Sequence, residues 1–469
     1  MTPGVPDSTL EVALSFRASE AVSGAELPAV VTLRNNMPKG GLIVDSPQDD
    51  CPFEFTFEPE NQPPFRVSRM TYLLRTRPQP PLPREHEAAP LPGGSTLEYP
   101  LDLAGFLVAP LEPGTYRVSA TYPLRGATYR SPAVTLRVVA PRVQFLELAR
   151  DGNGFHLGAA MIRAGNNGSA DLLHRESEGG KPALGYFRSR EVLRQPTSLA
   201  ISTDAEGTSE ARWLGWTEDG KAGFARVWGT STLQSFAVPS PGANARLLSP
   251  GWSFEDGSAL FLAAAPSGFT LIALDVRTNP KLKTYPASAG LREPAAARAG
   301  LFRNPDGQIR ILVVWPDGRR LICSILDPHG EATPPRVLIE APQPFVAVDI
   351  ESVAEAGAPV IDAVSAAGRE GHLVRIRGGE ANQTAVLPPV PDHAASPLRW
   401  TVCAGAATAV AIQAGETQIF AWHSGAAAWQ NLNSPAEAAV SHLRLVHLSG
   451  VWAVWADSSK GIQLRQIAP

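Results

Sequence analysis

The sequence predicts an all-β protein in two parts. A two-sheet sandwich spans residues 1–140, and a ring of repeated four-stranded sheets spans 143–469. Three observations predict this. Short apolar runs alternate with polar residues through the first 140 positions. A hairpin pattern then recurs about every 50 residues. The chain of 469 residues carries 44 Pro and 41 Gly, spread so evenly that long helices are opposed.

In the first part the clearest runs are LEVALSF (10–16), AVVTLRN (29–35), FEFTFEP (53–59), TYRVSATYPL (115–124) and AVTLRVV (133–139). A period of two places one face on a core and the other in water. Leu111-Glu112-Pro113-Gly114 turns into the fourth run, and a tight turn around Arg125-Gly126 ends it. The stretch EPGTYRVSATYPL resembles the late strands of immunoglobulin-like and fibronectin-III-like modules of bacteria. That resemblance implies an Ig-like β-sandwich. The Cys…Trp…Cys signature of antibody domains is absent, since this part has one Cys and no Trp.

A proline tract, RPQPPLPREHEAAPLP (77–92), interrupts the sandwich. Arg77, Pro80 and Pro83 fit a polyproline-ligand spacing, but a stiff exposed loop explains the tract more simply.

From Val143 onward each repeat is an apolar strand, a tight turn and a second apolar strand. The clearest are ARWLGWTEDGKAGFARVW (211–228), SALFLAAAPSGFTLIALDV (258–276) and IRILVVWPDGRRLICSILD (309–327). The turns fall near Asn167, Gly220, Gly268, Gly318, Arg369, Gly415 and Ser459, separated by 53, 48, 50, 51, 46 and 44 residues. A strand precedes most hairpins, as in SLAIS (198–202) or RWTVC (399–403), and another follows, as in RVLIE (336–340). Four strands per period of this length is the pattern of a β-propeller blade. Seven hairpins predict seven blades, or six or eight if an end unit is miscounted. VQFLEL (143–148) is either the first strand of the first blade or the outer strand that closes the last.

This part resembles WD40 and kelch-like β-propellers in period and strand logic. It has no Gly-His…Trp-Asp signature and no paired-Gly kelch box. Ser202-Thr203-Asp204 opens like a sialidase Asp-box, but its glycine arrives one place late, at Gly207. The resemblance therefore implies architecture and transfers no site residues.

Candidate chemistry is sparse. Asp349 and Glu351 alternate with Val348 and Ile350, which puts both carboxylates on one face of a channel-lining strand. Such a pair suits general acid–base work or a cation, and equally a solvated or Arg-paired strand. Asp45, Asp49 and Asp50 cluster in VDSPQDDC, a set of hard oxygen ligands for calcium or a solvated acidic loop. The Asp-Gly pairs at 151, 219, 256, 306 and 317 read as turn chemistry. Cys51, Cys323 and Cys403 form no C-x-x-C or zinc spacing and read as reduced, buried thiols. The ten Trp, all in the second part, read as blade-to-blade packing.

These residues predict no cofactor and no metal. The net charge of −4 predicts no nucleic-acid partner, and no apolar run is long enough to span a bilayer. The first residues show no signal-peptide pattern, which predicts a cytoplasmic protein, or a secreted or particle-borne one if a leader has been trimmed. With no catalytic constellation in view, the expectation is a non-enzymatic protein-interaction or scaffold protein. A carbohydrate-active propeller hydrolase and a glycan- or surface-binding module are the alternatives.

Overall fold

A computed structural model describes residues 9–468 apart from 25, 46–51, 69–87, 108–110, 152–153, 165–166, 179–180, 188–191, 194–195, 206–211, 219, 229–230, 243, 287–290, 292, 352–358, 378–379, 406–407, 433–437 and 449. The chain divides into two compact units, Met1–Pro141 and Arg142–Pro469. No helix among the described residues is long and apolar enough to cross a membrane.

The first unit holds β1 (Leu10–Phe16), β2 (Glu20–Val22), β3 (Pro28–Asn35), β4 (Gly41–Asp45), β5 (Glu54–Pro59), β6 (Phe65–Ser68), β7 (Ala88–Pro92), β8 (Thr96–Asp102), β9 (Gly114–Leu124), β10 (Ala127–Arg130) and β11 (Val134–Val139). One sheet runs β1-β3-β8 and the other β2-β11-β9-β5-β6, with β10 beside β9 and a separate β4-β7 ribbon. Alternation decides which side chains go inside. Leu10, Val12 and Leu14 are buried, as are Val31 and Leu33, while their neighbours face outward. Phe55, Phe57, Val118 and Leu136 from the second sheet join them in one core. The β9–β10 turn places Arg125 and Gly126 at φ 49° and 82°, the left-handed pair that a tight hairpin requires. Residues 77–87 of the proline tract lie outside the described residues. Its end departs from the expected loop, because Ala88–Pro92 pairs antiparallel with β4. Proline is tolerated in a ribbon of only two strands, where one side of each has no ladder to complete.

The second unit is a series of antiparallel meanders. The first is β12 (Arg142–Asp151), β13 (Gly154–Ala164), β14 (Asn167–Glu178) and β15 (Lys181–Phe187), with β16 (Val192–Leu193) beside β14. The second is β17 (Pro196–Asp204), β18 (Arg212–Glu218), β19 (Lys221–Trp228) and β20 (Ser231–Pro239). β21 (Arg246–Ser253), β22 (Ala259–Ala265), β23 (Gly268–Asp275) and β24 (Thr278–Pro286) form the third. Next come β25 (Arg298–Arg303), β26 (Ile309–Asp317), β27 (Arg320–Leu326) and β28 (Arg336–Glu340). The fifth has β29 (Phe345–Glu351), β30 (Val360–Ala367), β31 (Glu370–Arg377) and β32 (Glu380–Val386). The sixth has β33 (Leu398–Cys403), β34 (Ala409–Ala414), β35 (Gln418–His423) and β36 (Gln430–Asn431). The last has three strands, β37 (Val440–Leu448), β38 (Gly450–Asp457) and β39 (Gly461–Ala468).

The leading strands β12, β17, β21, β25, β29, β33 and β37 each contact the next, and β37 contacts β12. A closed ring of inner strands with meanders running outward is a β-propeller. VQFLEL is thus the inner strand of the first meander and does not complete the last. Each predicted hairpin joins the second and third strands of its meander, as in Asp317↔Arg320 and Ala265↔Gly268. Gly257, Gly307 and Gly318 all have positive φ, so these Asp-Gly pairs serve turns, and Gly220 has positive φ as well. Middle strands are buried on both faces: all eight residues of β38 and six of the seven in β22 are buried.

Candidate functional site

The structure separates the sequence candidates. Asp45 ends β4 inside a hydrogen-bond set. The Tyr122 hydroxyl donates to its Oδ2 at 2.9 Å and accepts its backbone N–H at 3.1 Å, while Tyr99 donates to its carbonyl. Asp49 and Asp50 lie outside the described residues, as does Cys51. Cys323 and Cys403 are buried and outside any disulfide, and burial pushes the Cys323 thiol up. Among the described residues no three His, Cys, Asp or Glu side chains gather as a metal site.

Burial raises the Tyr122 phenol well above its usual value and that of Tyr116 to about 12. A raised pKa means that the folded state holds its proton more tightly. The stabilisation is complete below about pH 10 and lost as pH rises through the folded values. We expect the urea midpoint of the first unit to fall from about pH 10 upward. Tyr122→Phe removes two bonds, costs about 1–2 kcal/mol at neutral pH and flattens that alkaline fall. An unchanged alkaline profile in Tyr122→Phe would refute this.

Asp349 and Glu351 sit half-buried on β29, an inner strand, where the alternation places them. Asp349 Oδ2 accepts the Ala404 N–H at 2.8 Å from the neighbouring meander. Its cross-strand partner is Asp362, which sequence reading passed over. Asp362 is fully buried. It accepts from Arg375 Nε and Nη2 at 2.8 and 2.7 Å, and from the Thr408 hydroxyl at 3.0 Å. Arg375 also donates to the Gly405 carbonyl, and the guanidinium is held above its ordinary pKa by the Asp362 bonds and the charge of Glu351. These acidic groups bind the fifth meander to the sixth.

The tryptophans are mostly core. Trp213, Trp252 and Trp315 are among the largest fully buried side chains, and Trp422, Trp452 and Trp455 are buried as well. Trp400 and Trp429 meet edge to face at 6.0 Å, and Trp429 donates to the Pro388 carbonyl.

A cleft of about 960 Å³ opens between the third and fourth meanders. Its apolar wall is Phe254, Leu260, Leu271, Leu282, Ile309 and Pro328; Glu255, Asp256, Lys281 and Lys283 give it charge, and His329 adds a polar ring. The construction is local. Asp256 caps the β21–β22 turn, accepting from the Ser258 N–H at 2.9 Å and hydroxyl at 2.6 Å, and these bonds hold its carboxyl below the usual range. Asp327 accepts the His329 N–H at 2.8 Å and pairs with Arg310 at 3.2 Å; it too is held low, first by the His329 bond. Lys283 donates to the Pro328 and Gly330 carbonyls and lies 5.3 Å from the Tyr285 ring centre, while Tyr285 donates to the Asp327 carbonyl. The loop after β27 is thereby fixed against β24. Leu282 remains 44% exposed on this outermost strand. A preformed cleft with an apolar wall and a few placed polar groups is the usual form of a binding site. Sequence reading missed it, because its residues come from two repeats and its outer strand, TNPKLKTYP, is largely polar.

No family model matches the chain, and no curated protein does. Solved structures similar to it include the SapL1 lectin in complex with α-methyl fucoside, at 12% identity, TM-score 0.38, covering 64% of this chain and 98% of that one. The six-bladed fungal lectin of Aleuria aurantia is 13% identical, with TM-score 0.34 and coverages of 63% and 97%. The Cps50 (Swd1) β-propeller domain of Myceliophteria thermophila is 13% identical, with TM-score 0.40 and coverages of 70% and 99%. Likenesses of this degree assign no family.

Proposed function

We propose that this chain is a non-catalytic binding protein. It carries a seven-bladed propeller whose cleft between the third and fourth blades receives an extended segment of a protein partner. The cleft carries the reading. Its wall joins Leu260, Leu271, Leu282 and Ile309 to the edge strand β24, with the exposed Lys281 alongside. An edge strand offers unpaired backbone groups, and an apolar wall beside it accepts alternate side chains of an added strand. Lys281 favours an acidic residue in that strand. The first unit reads as an immunoglobulin-like sandwich, a second docking module. Tyr116 near the start of β9 donates to the Glu112 carbonyl at 2.8 Å, the bond of a tyrosine corner, and β2 runs parallel to β11.

The test is selection from a peptide display library on the full chain, alongside a glycan array. Peptides pairing apolar with acidic residues should be enriched on the wild type. Leu282→Glu should weaken them about tenfold or more while leaving the melting temperature unchanged, because Leu282 is partly exposed. Glycan binding that Leu282→Glu removes, with no peptide enriched, would replace this reading with the glycan-binding one. Peptide binding indifferent to Leu282→Glu would move the site elsewhere.

A further inference from the structure

The inner strands share a feature that the cleft does not use and that blade packing uses only at Arg444. β12, β21 and β25 each begin with an arginine, namely Arg142, Arg246 and Arg298, and β33 has Arg399 at its second position. β37 carries Arg444 after a bulge between Ser441 and Arg444. The inner strands follow one another around the ring, and β17 and β21 pair in parallel, so their starts lie at one end. Register sets two of these arginines at the same height. Arg298 opposes Val314, three residues before the end of β26 at Asp317, and Arg444 opposes Val454, three before the end of β38 at Asp457. In a chain of net charge −4 this is a local excess of cation.

The counter-charges nearby are already engaged. Glu147 on β12 accepts from Arg444 Nη2 at 2.8 Å, and Asp349 accepts the Ala404 N–H. Arg298 donates through Nη1 to the Ala295 and Ala297 carbonyls at 3.0 and 2.8 Å, and forms no ion pair among the described residues. Arg399 is exposed and forms no ion pair among them either. Two positions before Arg444, with its ring 6.4 Å from that of Phe145 on β12, sits His442, a non-glycine residue at φ 54° within the bulge of β37. Backbone held in that region is characteristic of functional sites. Burial, followed by the charge of Arg444, lowers the His442 pKa and keeps the ring neutral at pH 7, whereas burial and the charge of Arg444 lower that of Arg298. Arg298 and Arg444 thus share two carboxylates, Glu147 and Asp349, both already engaged, and Arg399 adds its charge near His442.

We propose that the mouth of the propeller ring at this end binds an oxyanion, a phosphate or sulfate group, with Arg399 and the Nε and Nη2 side of Arg298 supplying guanidinium donors and Arg444, oriented by Glu147, closing the third side. Guanidinium forks match tetrahedral oxyanions in geometry and charge.

The experiment is calorimetric titration of the full chain with inorganic phosphate and with sulfate, against sodium chloride of equal ionic strength. Saturable binding above the chloride control is expected. Arg399→Gln should weaken it about tenfold or more, the consequence of losing one charged donor. Because Arg399 is exposed, its variant should keep the wild-type melting temperature without anion. Lys281→Gln, in the cleft, should bind as wild type. Phenyl phosphate separates the two sources: competition shows that the site takes a phosphoryl group on a larger ligand, and no competition shows that it takes the free ion. No saturable heat beyond chloride, or binding unchanged by Arg399→Gln or abolished by Lys281→Gln, overturns the proposal.

Discussion

Asp362→Ala should destabilise the second unit by about 3–5 kcal/mol, the usual cost of removing one partner from a buried ion pair. Asp362 is fully buried and Arg375 has 18% of its side chain exposed, so the orphaned guanidinium cannot recover its hydration without moving. Three further groups lose partners or support. The Thr408 hydroxyl loses its acceptor, the Arg375–Gly405 bond loses its anchor, and the fifth and sixth meanders lose this connection. Asp362→Asn keeps an acceptor oxygen for one bond but surrenders the charge, and should fall between the wild type and Asp362→Ala. All ten Trp lie in this unit, so tryptophan fluorescence during urea unfolding reports it selectively. A loss below about 1 kcal/mol would mean that water or a rearranged side chain replaces the carboxylate.

Trp213→Ala should cost a similar amount, about 3–5 kcal/mol, by a different route. Here the loss is apolar burial and a cavity. Trp213 is fully buried between the second and third meanders with Phe224, Leu247 and Phe261. Its ring stacks on Phe236 at 5.8 Å and 15°, and its Nε1 donates to the Gly257 carbonyl at 3.1 Å, across the blade boundary. The site cannot collapse easily. Gly251 is already so close to Phe261 that an added Cβ would lie 2.6 Å from the ring, so this core has no slack. Trp213→Phe should recover part of the loss, since it fills most of the volume without the hydrogen bond. Guanidinium unfolding followed by circular dichroism measures both variants, and equal stability of Trp213→Ala and wild type would contradict the packing argument.

The repeat was legible because its signal is local. A buried middle strand, a turn with positive φ and a second buried strand lie within about 20 consecutive residues, and the turn residues are fixed by backbone sterics. Inner strands were less legible. RAGLFR at β25 is short and contains glycine, and it lacks the β-branched residues that mark SLAIS or FVAVDIESV. In the first unit, β2 and β6 escaped notice because they are only three and four residues long, β4 because Leu42, Ile43 and Val44 are apolar in succession, and β7 and β8 because proline interrupts them. The Asp362–Arg375 pair was written in the hairpin register, since the two residues face each other directly across β30 and β31. Reading it required knowing that this face is dry, which comes from the neighbouring blade. The cleft and the arginine ring are assembled from residues many positions apart, and only ring closure brings them together.

Among the described residues the last meander has three strands and borrows none from the first, so the first and last meanders meet through side chains, with Glu147 gripping Arg444 across 297 residues of sequence. This bears on biosynthesis. At about 5–20 residues per second, the ribosome needs on the order of 15–60 s between making the two halves of that seam. Throughout that interval the growing arc presents an uncovered apolar flank, Leu146 among it, to the crowded interior of the cell. The nascent chain is most exposed to aggregation and to chaperone capture at this flank, and it stays so until β37 has emerged.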